Sequence, residues 1–395
     1  MITLFKHKKD CCGCGACASI CTKTAITMVE DEYGFVYPQI DEAKCVDCGA
    51  CLKVCAFQNR QEETVLQNVY AAASKDKHTL MHSASGGIFA EAAKIIIDKG
   101  GVVYGATMWR ENDRFIIRHK RIEKKTDIGL LQGSKYVQSD MGDVYKEIRR
   151  DLMTDRFVLF SGTPCQCASL KTFLRKQYDK LIVMDLVCHG VPSQKFFNDY
   201  INYKFAKCPK IHDFKFRDKT KGWGMIARLD YANTYRIIYG RLSSYVTLFI
   251  DGHTYRENCY HCKYASSNRI GDITIGDYWG FQYEHPERKQ LYDVKKGVSC
   301  IIVNTELGEI FMDEMKEVLT YNISSFDKVA KKNEQLTSPS KVGKYRLQVM
   351  DLYKENGYKS VDDFYKVVYR KQIILHTIYN MLPYNVKMWV KRIKD

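Results

Sequence analysis

From about residue 66, short apolar runs alternate with longer segments in which apolar residues recur every three or four positions. Val69-Tyr70-Ala71-Ala72-Ala73-Ser74 predicts a strand. Between residues 86 and 99, Ile88, Phe89, Ala92, Ala93, Ile96 and Ile97 share one face of a helix. Residues 101–106 and 156–160 predict further strands, the second leading through Ser161-Gly162-Thr163-Pro164 into a helix that reaches Lys176. Residues 181–187 predict another strand, with a turn and a helix from Ser193. Alternation of strand, turn and helix predicts an α/β architecture. Residues 211–216, 224–229, 235–239, 245–250, 272–278 and 300–304 are shorter runs, read as β structure extending a mixed sheet.

The first sixty residues follow another pattern. Ala25-Ile26-Thr27-Met28-Val29 and Tyr33-Gly34-Phe35-Val36-Tyr37-Pro38 flank the acidic Glu30-Asp31-Glu32, which predicts a β-hairpin with a polar tip. Two cysteine runs frame it. Cys11, Cys14, Cys17 and Cys21 repeat the spacing of Cys45, Cys48, Cys51 and Cys55, and both read C-x-x-C-x-x-C-x-x-x-C. Bacterial ferredoxins hold cubane iron–sulfur clusters with this spacing. Three cysteines at two-residue gaps wrap three corners of a cube, and Gly13, Gly15 and Gly49 let the backbone approach the inorganic sulfide. The trailing cysteine serves the other cluster. One set is therefore Cys11, Cys14, Cys17 and Cys55, and the other is Cys45, Cys48, Cys51 and Cys21. Zinc knots use two C-x-x-C pairs instead of triplets, and disulfides need an oxidising compartment. The proline that usually follows the last cysteine is Thr22 in one run and Ala56 in the other, which touches stiffness and not ligation. Cys12 fits neither register and is expected to be a small buried residue.

Composition sets bounds around this unit. The chain has 395 residues, 45% hydrophobic and 27% charged, as in globular proteins. No run approaches the roughly 20 apolar residues of a membrane span. Residues 1–10 run straight into a cluster ligand, so no secretory leader is expected, and 16 cysteines then imply metal binding in a reducing, cytoplasmic setting. The net charge is +15 and uneven: residues 1–60 hold seven basic and seven acidic residues, whereas 331–395 hold fourteen and six. A basic chain favours acidic partners such as a small ferredoxin, an anionic cofactor or an anionic membrane surface; a solvated lysine-rich surface is the plain alternative. No nucleic-acid motif accompanies the charge.

Two turns suit anions. Ser83-Ala84-Ser85-Gly86-Gly87 opens a helix, where free N–H groups and hydroxyls converge, and Ser161-Gly162-Thr163-Pro164 repeats the design at a strand end. Ordinary N-capping explains either turn equally well, and there is no G-x-G-x-x-G. Four more cysteines stand out. Cys165 and Cys188 follow strand ends, and Cys259 and Cys262 form a C-x-x-C. Together they make a third four-cysteine set that would take a cluster or zinc, and a redox C-x-x-C is also open. Cys167, Cys208 and Cys300 have no partner pattern and read as structural.

Five runs occur in order: Ser85-Gly86-Gly87, Gln132-Gly133-Ser134-Lys135-Tyr136-Val137-Gln138-Ser139, Phe160-Ser161-Gly162-Thr163-Pro164-Cys165-Gln166, Cys188-His189-Gly190-Val191-Pro192-Ser193 and Asp272-Ile273-Thr274-Ile275-Gly276-Asp277-Tyr278-Trp279-Gly280. With the ferredoxin unit in front, this set resembles the beta subunit of coenzyme F420-reducing hydrogenases and F420-linked dehydrogenases over about residues 1–325. The resemblance implies FAD and iron–sulfur clusters, with electrons passing between a hydride donor or acceptor at the flavin and one-electron clusters. It implies FAD contacts at Ser85, Gly86, Gly87, Lys135, Ser161, Gly162 and Thr163, and a third 4Fe-4S cluster on Cys165, Cys188, Cys259 and Cys262. His189 is a candidate proton donor near the flavin; no catalytic residue is assigned.

The expected organisation is a ferredoxin-like 4Fe-4S domain at 1–60, a mixed α/β flavin domain at 66–325 in two parts, 66–150 and 151–325, and a basic helical tail at 326–395. The expected function is an iron–sulfur flavoprotein oxidoreductase acting on coenzyme F420 or another reducible small molecule. The other reading is an electron-transfer subunit docked to a catalytic partner. Cluster potentials range so widely that the direction of electron flow stays open. In the tail, Val367, Ile374, Ile378 and Met381 share a helical face up to Pro383. Val386, Trp389, Val390 and Ile393 continue beside Lys387, Lys391, Arg392 and Lys394. Such a basic amphipathic segment either packs on its own domain or lies on anionic membrane.

Overall fold

A computed structural model describes residues 2–59 and 67–382. Strands β1 (Ile26–Glu30) and β2 (Val36–Ile40) pair antiparallel, with Thr27 opposite Gln39. Asp31 closes their loop by accepting from the N–H groups of Tyr33 and Phe35. This is the hairpin that the acidic tip predicts. Each cysteine run turns through a left-handed glycine, Gly15 (φ 76°) or Gly49 (φ 70°), into a short helix, Ala16–Ile20 or Ala50–Lys53.

The rest is built on β3 (Asn68–Ser74), β4 (Val102–Glu111), β5 (Arg114–Ile122), β6 (Val158–Gly162), β7 (Leu181–Leu186), β8 (Ile211–Lys215), β9 (Ile226–Tyr231), β10 (Thr234–Tyr239), β11 (Ile273–Asp277), β12 (Ser299–Val303) and β13 (Leu319–Ile323). Eight strands form one mixed sheet in the order β13-β3-β12-β11-β7-β6-β4-β5. Its centre, β11-β7-β6-β4, is parallel, and its flanks are antiparallel. Side chains alternate across it. Val158, Phe160 and Val183 pack with the helix Pro164–Leu174, whereas Leu159, Ile182 and Met184 pack with the helix Ile88–Asp98. Burial on both faces explains why β6 and β7 read as unbroken apolar runs.

Two segments depart from the sequence reading. Residues 245–250, read as β structure, are the helix Ser244–Ile250, which the Ser243 hydroxyl caps by accepting from the Val246 N–H. Tyr245, Val246, Leu248 and Phe249 are all buried there, so the run lacks the polar face that marks a surface helix. The short strands also do not extend one sheet: β11 and β12 lie inside it, whereas β8, β9 and β10 form a separate antiparallel sheet. That sheet closes on an aromatic core of Phe196, Phe197, Tyr200, Phe214, Phe216 and Tyr245.

The ferredoxin unit shares a core with the large sheet. Cys12, Ala16, Val54 and Phe57 pack with Tyr104, Phe160 and Phe173. Side chains beyond it tie down its backbone: Tyr145 donates to Cys14 O (3.0 Å), Thr172 to Val54 O (2.8 Å) and Tyr264 to Ala56 O (2.6 Å).

The described residues finish with helices Arg346–Val368 and Arg370–Met381. Val367 belongs to the first of these and Ile374, Ile378 and Met381 to the second, so the expected single face is split at Tyr369. All four side chains are exposed. The basic segment from Pro383 onward lies outside the described residues. Among the described residues no helix is long and apolar enough to cross a membrane.

Candidate functional site

The carboxyl ends of the parallel strands are where an α/β sheet presents its working residues. Here β6, β7 and β11 end on a cavity of about 470 Å³, within the range of small-molecule sites. Two helices begin at it. The helix Ile88–Asp98 starts at Gly87, whose left-handed backbone (φ 87°) carries no side-chain cap. Its leading N–H groups are thus not answered by a capping side chain, as an anion site requires. The helix Pro164–Leu174 differs: the Thr163 N–H already donates to Gln166 Oε1 (3.0 Å), so this turn caps itself.

Ser85, Gly87, Lys135, Ser161, Gly162 and Thr163 all line the cavity. Gly86 does not. Its N–H donates to Ser299 Oγ (2.9 Å), and an added Cβ would collide with the Ala72 carbonyl, so Gly86 serves close packing of backbone on sheet. The Ser85 hydroxyl is committed to Val298 O (3.0 Å). His119 is held between Ser139 Oγ (2.8 Å) and Ser161 O (3.1 Å), and burial lowers its pKa to about 4. Because a carbonyl only accepts, Nε2 carries the proton, and this neutral imidazole fixes the Ser161 turn.

The cavity wall is rich in buried cations. Arg217 pairs with Asp277 (Nη1–Oδ2 2.7 Å) and donates to the Tyr136 hydroxyl (3.0 Å), but its Nε is buried without a partner. Lys135 lines the cavity and donates to Leu131 O (2.9 Å) and Gln132 O (2.8 Å), and burial lowers its pKa to about 7. Lys219 donates to Leu80 O and Ser85 O (both 2.6 Å), so it holds the serine turn; burial and the neighbouring Arg217 lower its pKa to about 7. Trp279 stacks on Trp223 at 4.5 Å between ring centres, and Trp223 Nε1 donates to Asp277. His189 also lines the cavity; burial lowers its pKa, opposed by Asp277 and Glu334. An unpartnered guanidinium donor and an uncapped helix end together fit an anionic group such as a pyrophosphate.

The sequence reading missed Arg217, Lys219, Trp223 and His119. Cations in a charged loop read as solvated surface, and only folding shows that Arg217 and Lys219 are buried. Asp277 and Trp279 lie inside one of the five runs, and nothing in that run singles them out.

The cysteines gather as their spacing requires. Burial raises the Cys17 thiol, with Cys14, Cys11 and Cys55 adding to it. Burial likewise raises Cys11, to about 11, with Cys14 and Cys55 contributing. These four thus face one another across the two loops. Cys51 senses Cys48 and Cys45 after burial, and Cys17 and Cys21 pack beside it. The third set also converges: burial raises Cys188, and Cys259, Cys165 and Cys262 add to the shift. Cys12 sits between sets, its thiol hydrogen-bonded to both Cys14 and Cys165. Cys12, Cys14, Cys165 and Cys188 are among the residues that line the cavity. Among the described residues no three His, Cys, Asp or Glu side chains converge tightly enough to hold a single metal ion. A tetrahedral zinc ion needs its sulfurs about 3.8 Å apart, given a bond of about 2.3 Å; thiolates around a cube stand wider.

Known proteins place this arrangement. Residues 10–59 match the family model described as a 4Fe-4S dicluster domain. Residues 155–329 match the model for the C terminus of the coenzyme F420 hydrogenase/dehydrogenase beta subunit. Among solved structures, 13 chains match. One comes from the F420-reducing NiFe hydrogenase complex of Methanosarcina barkeri; it is 15% identical, with 79% of this chain and 94% of that chain covered, at a TM-score of 0.45. No curated protein matches. The two matched stretches are thus similar to iron–sulfur and oxidoreductase-subunit domains. In particular, a stretch similar to 4Fe-4S dicluster domains precedes one similar to the C-terminal domain of the coenzyme F420 hydrogenase/dehydrogenase beta subunit.

Proposed function

We propose that this chain binds FAD in the cavity at the ends of β6, β7 and β11 and exchanges electrons between it and the cysteine-bound clusters. Bound there, the flavin would supply two-electron hydride exchange with a small molecule and one-electron exchange with the clusters. One observation carries the reading: a single cavity is lined both by anion-suited donors and by Cys12, Cys14, Cys165 and Cys188.

The residues divide the work. Gly87, Lys135 and the Arg217 Nε attract the anionic part of the cofactor. Lys219 holds the serine turn, and His119 fixes the Ser161 turn. The dicluster cysteines are Cys11, Cys14, Cys17 and Cys55, then Cys21, Cys45, Cys48 and Cys51; Cys165, Cys188, Cys259 and Cys262 hold a third cluster beside the flavin. The ferredoxin unit is then the outlet toward an external carrier or a partner subunit. His189, neutral and at the cavity wall, is the candidate to hand a proton to the reacting ring. The substrate is coenzyme F420 or another reducible small molecule.

Anaerobic reconstitution with iron, sulfide and FAD tests this. About twelve irons and one flavin per chain are expected, at four irons per cube. Reduction by dithionite or ferredoxin should then pass to a small acceptor. Preparations that hold iron and never flavin would sink the enzyme reading and leave an electron-transfer subunit.

A further inference from the structure

Arg256 is fully buried and lies where the ferredoxin unit meets the large domain. Its Nε donates to Cys11 O (2.9 Å) and its Nη2 to Val36 O (2.9 Å). Nη1 reaches Gln138 Oε1 at 3.4 Å, and Nη2 stands 3.9 Å from the Cys11 sulfur. The guanidinium lies over the Tyr37 ring, 4.0 Å from its centre. It also rests on Gly13, where an added Cβ would come within 2.8 Å of Nη1. Its own backbone belongs to the third cysteine set: Arg256 N–H donates to Val191 O, and Cys259 N–H donates to Arg256 O.

Among the described residues no carboxylate pairs with this arginine. A buried guanidinium with only carbonyls and a ring around it is a costly arrangement. Two other buried guanidinium groups each have a carboxylate: Arg269 has Asp185 and Arg217 has Asp277. The cysteine against which the guanidinium stands is Cys11, one of the set completed by Cys14, Cys17 and Cys55; Cys165 and Cys259 sense its charge as well. Four thiolates around a cube leave a net negative charge, and reduction adds one more.

We propose that Arg256 is the counter-charge of the cluster on Cys11, Cys14, Cys17 and Cys55, and that it raises this cluster's reduction potential relative to the one on Cys21, Cys45, Cys48 and Cys51. A cation beside the cube stabilises the reduced form more than the oxidised form, so removing it lowers the potential. Arg256 is a positioning residue. It also ties cluster charge to docking, because the same guanidinium holds Cys11 and Val36 of the ferredoxin unit. The inference rests on the dicluster domain and stands apart from the flavin reading.

The test uses the full, reconstituted chain and redox titration followed by electron paramagnetic resonance. Arg256→Met should lower the potential of one cluster by at least tenfold in the reduction equilibrium, about 59 mV for one electron. The other dicluster centre should not move, and Arg256→Lys should shift the first by less than half as much as Arg256→Met does. Unchanged potentials in Arg256→Met would overturn the proposal, as would an equal shift in Arg256→Lys. Arg256→Gln, which keeps donors for both carbonyls, repeats the reading if the Met variant folds poorly. If both neutral variants lose about four irons and Arg256→Lys keeps them, the charge is needed for assembly and the proposal stands; loss in the Lys variant too would overturn it. Flavin content, counted separately, reports on the flavin reading alone.

Discussion

Arg217 and Asp277 meet as a buried ion pair in which Nη1 donates to Oδ2 at 2.7 Å and Nη2 to Oδ1 at 3.3 Å, yet the Nε of the same guanidinium has no partner. Asp277 closes β11 and Arg217 follows β8, so the pair joins the two sheets at the cavity wall. The carboxylate neutralises the arginine without using up its donors. Asp277→Asn leaves a buried charge half answered, and breaking such a pair typically costs about 3–5 kcal/mol. Urea unfolding of Asp277→Asn should show a loss of that order. Stability within about 1 kcal/mol of wild type would mean that the pair is solvated.

Lys135 gives the cavity a pH dependence. Burial sets its pKa at about 7 against an ordinary 10.5. In that window the unfolded chain holds a proton that the folded chain has released, so the unliganded protein gains stability as pH rises from about 7 toward 10.5. Anion binding runs the other way. The amine must be charged to attract the ligand, so affinity for inorganic pyrophosphate or FAD should fall about tenfold per pH unit above 7 for each lysine recharged. Lys135→Met should remove one proton from this slope. Binding measured by calorimetry that is flat across this range would contradict the assignment.

How much was legible beforehand follows from range along the chain. Cysteine spacing is local, so a dicluster-type unit over residues 10–59 could be read directly, as could the hairpin with its acidic tip. The strands of the parallel centre announced themselves as apolar runs because both faces are covered. The rest depends on contacts far apart in sequence. Arg217 is a loop cation until β8 and β11 bring it onto Asp277, sixty residues away. Arg256 reaches Cys11 across 245 residues. Residues 245–250 misled because a helix buried all round loses the polar face that gives helical period its contrast. Gly86 looked like an anion-binding glycine because sequence cannot tell a free N–H from one already given to Ser299.

Gly13 tests how tightly the first cluster loop is held. Its φ of 66° is left-handed, and an added Cβ would come within 2.8 Å of Arg256 Nη1. Gly15 has a similar φ of 76° and open space around its Cβ position. Both alanine variants carry the backbone penalty, roughly 1–2 kcal/mol. Only Gly13→Ala must also displace a buried guanidinium. Gly13→Ala should therefore unfold at lower denaturant than Gly15→Ala and keep less iron after gel filtration. Equal midpoints for the two would show that Arg256 yields freely at this contact.

Cys12 separates ligation from support. It fits neither register, is buried, and hydrogen-bonds to Cys14 and Cys165, one from each of two cysteine sets. The Cys12 hydrogen bond lowers Cys14, to about 6, and also lowers Cys165. Cys12 itself is raised well above an ordinary thiol by those same contacts and by burial. Its place outside both C-x-x-C-x-x-C-x-x-x-C registers, between one cysteine of each of two sets, marks it as a support for ligands and not as one of them. Cys12→Ser keeps a donor at this place and should leave the iron content of reconstituted protein unchanged. Cys165→Ser should lose about four irons, one cube's worth. Loss of four irons from Cys12→Ser would make Cys12 a ligand and require the third set to be redrawn around it.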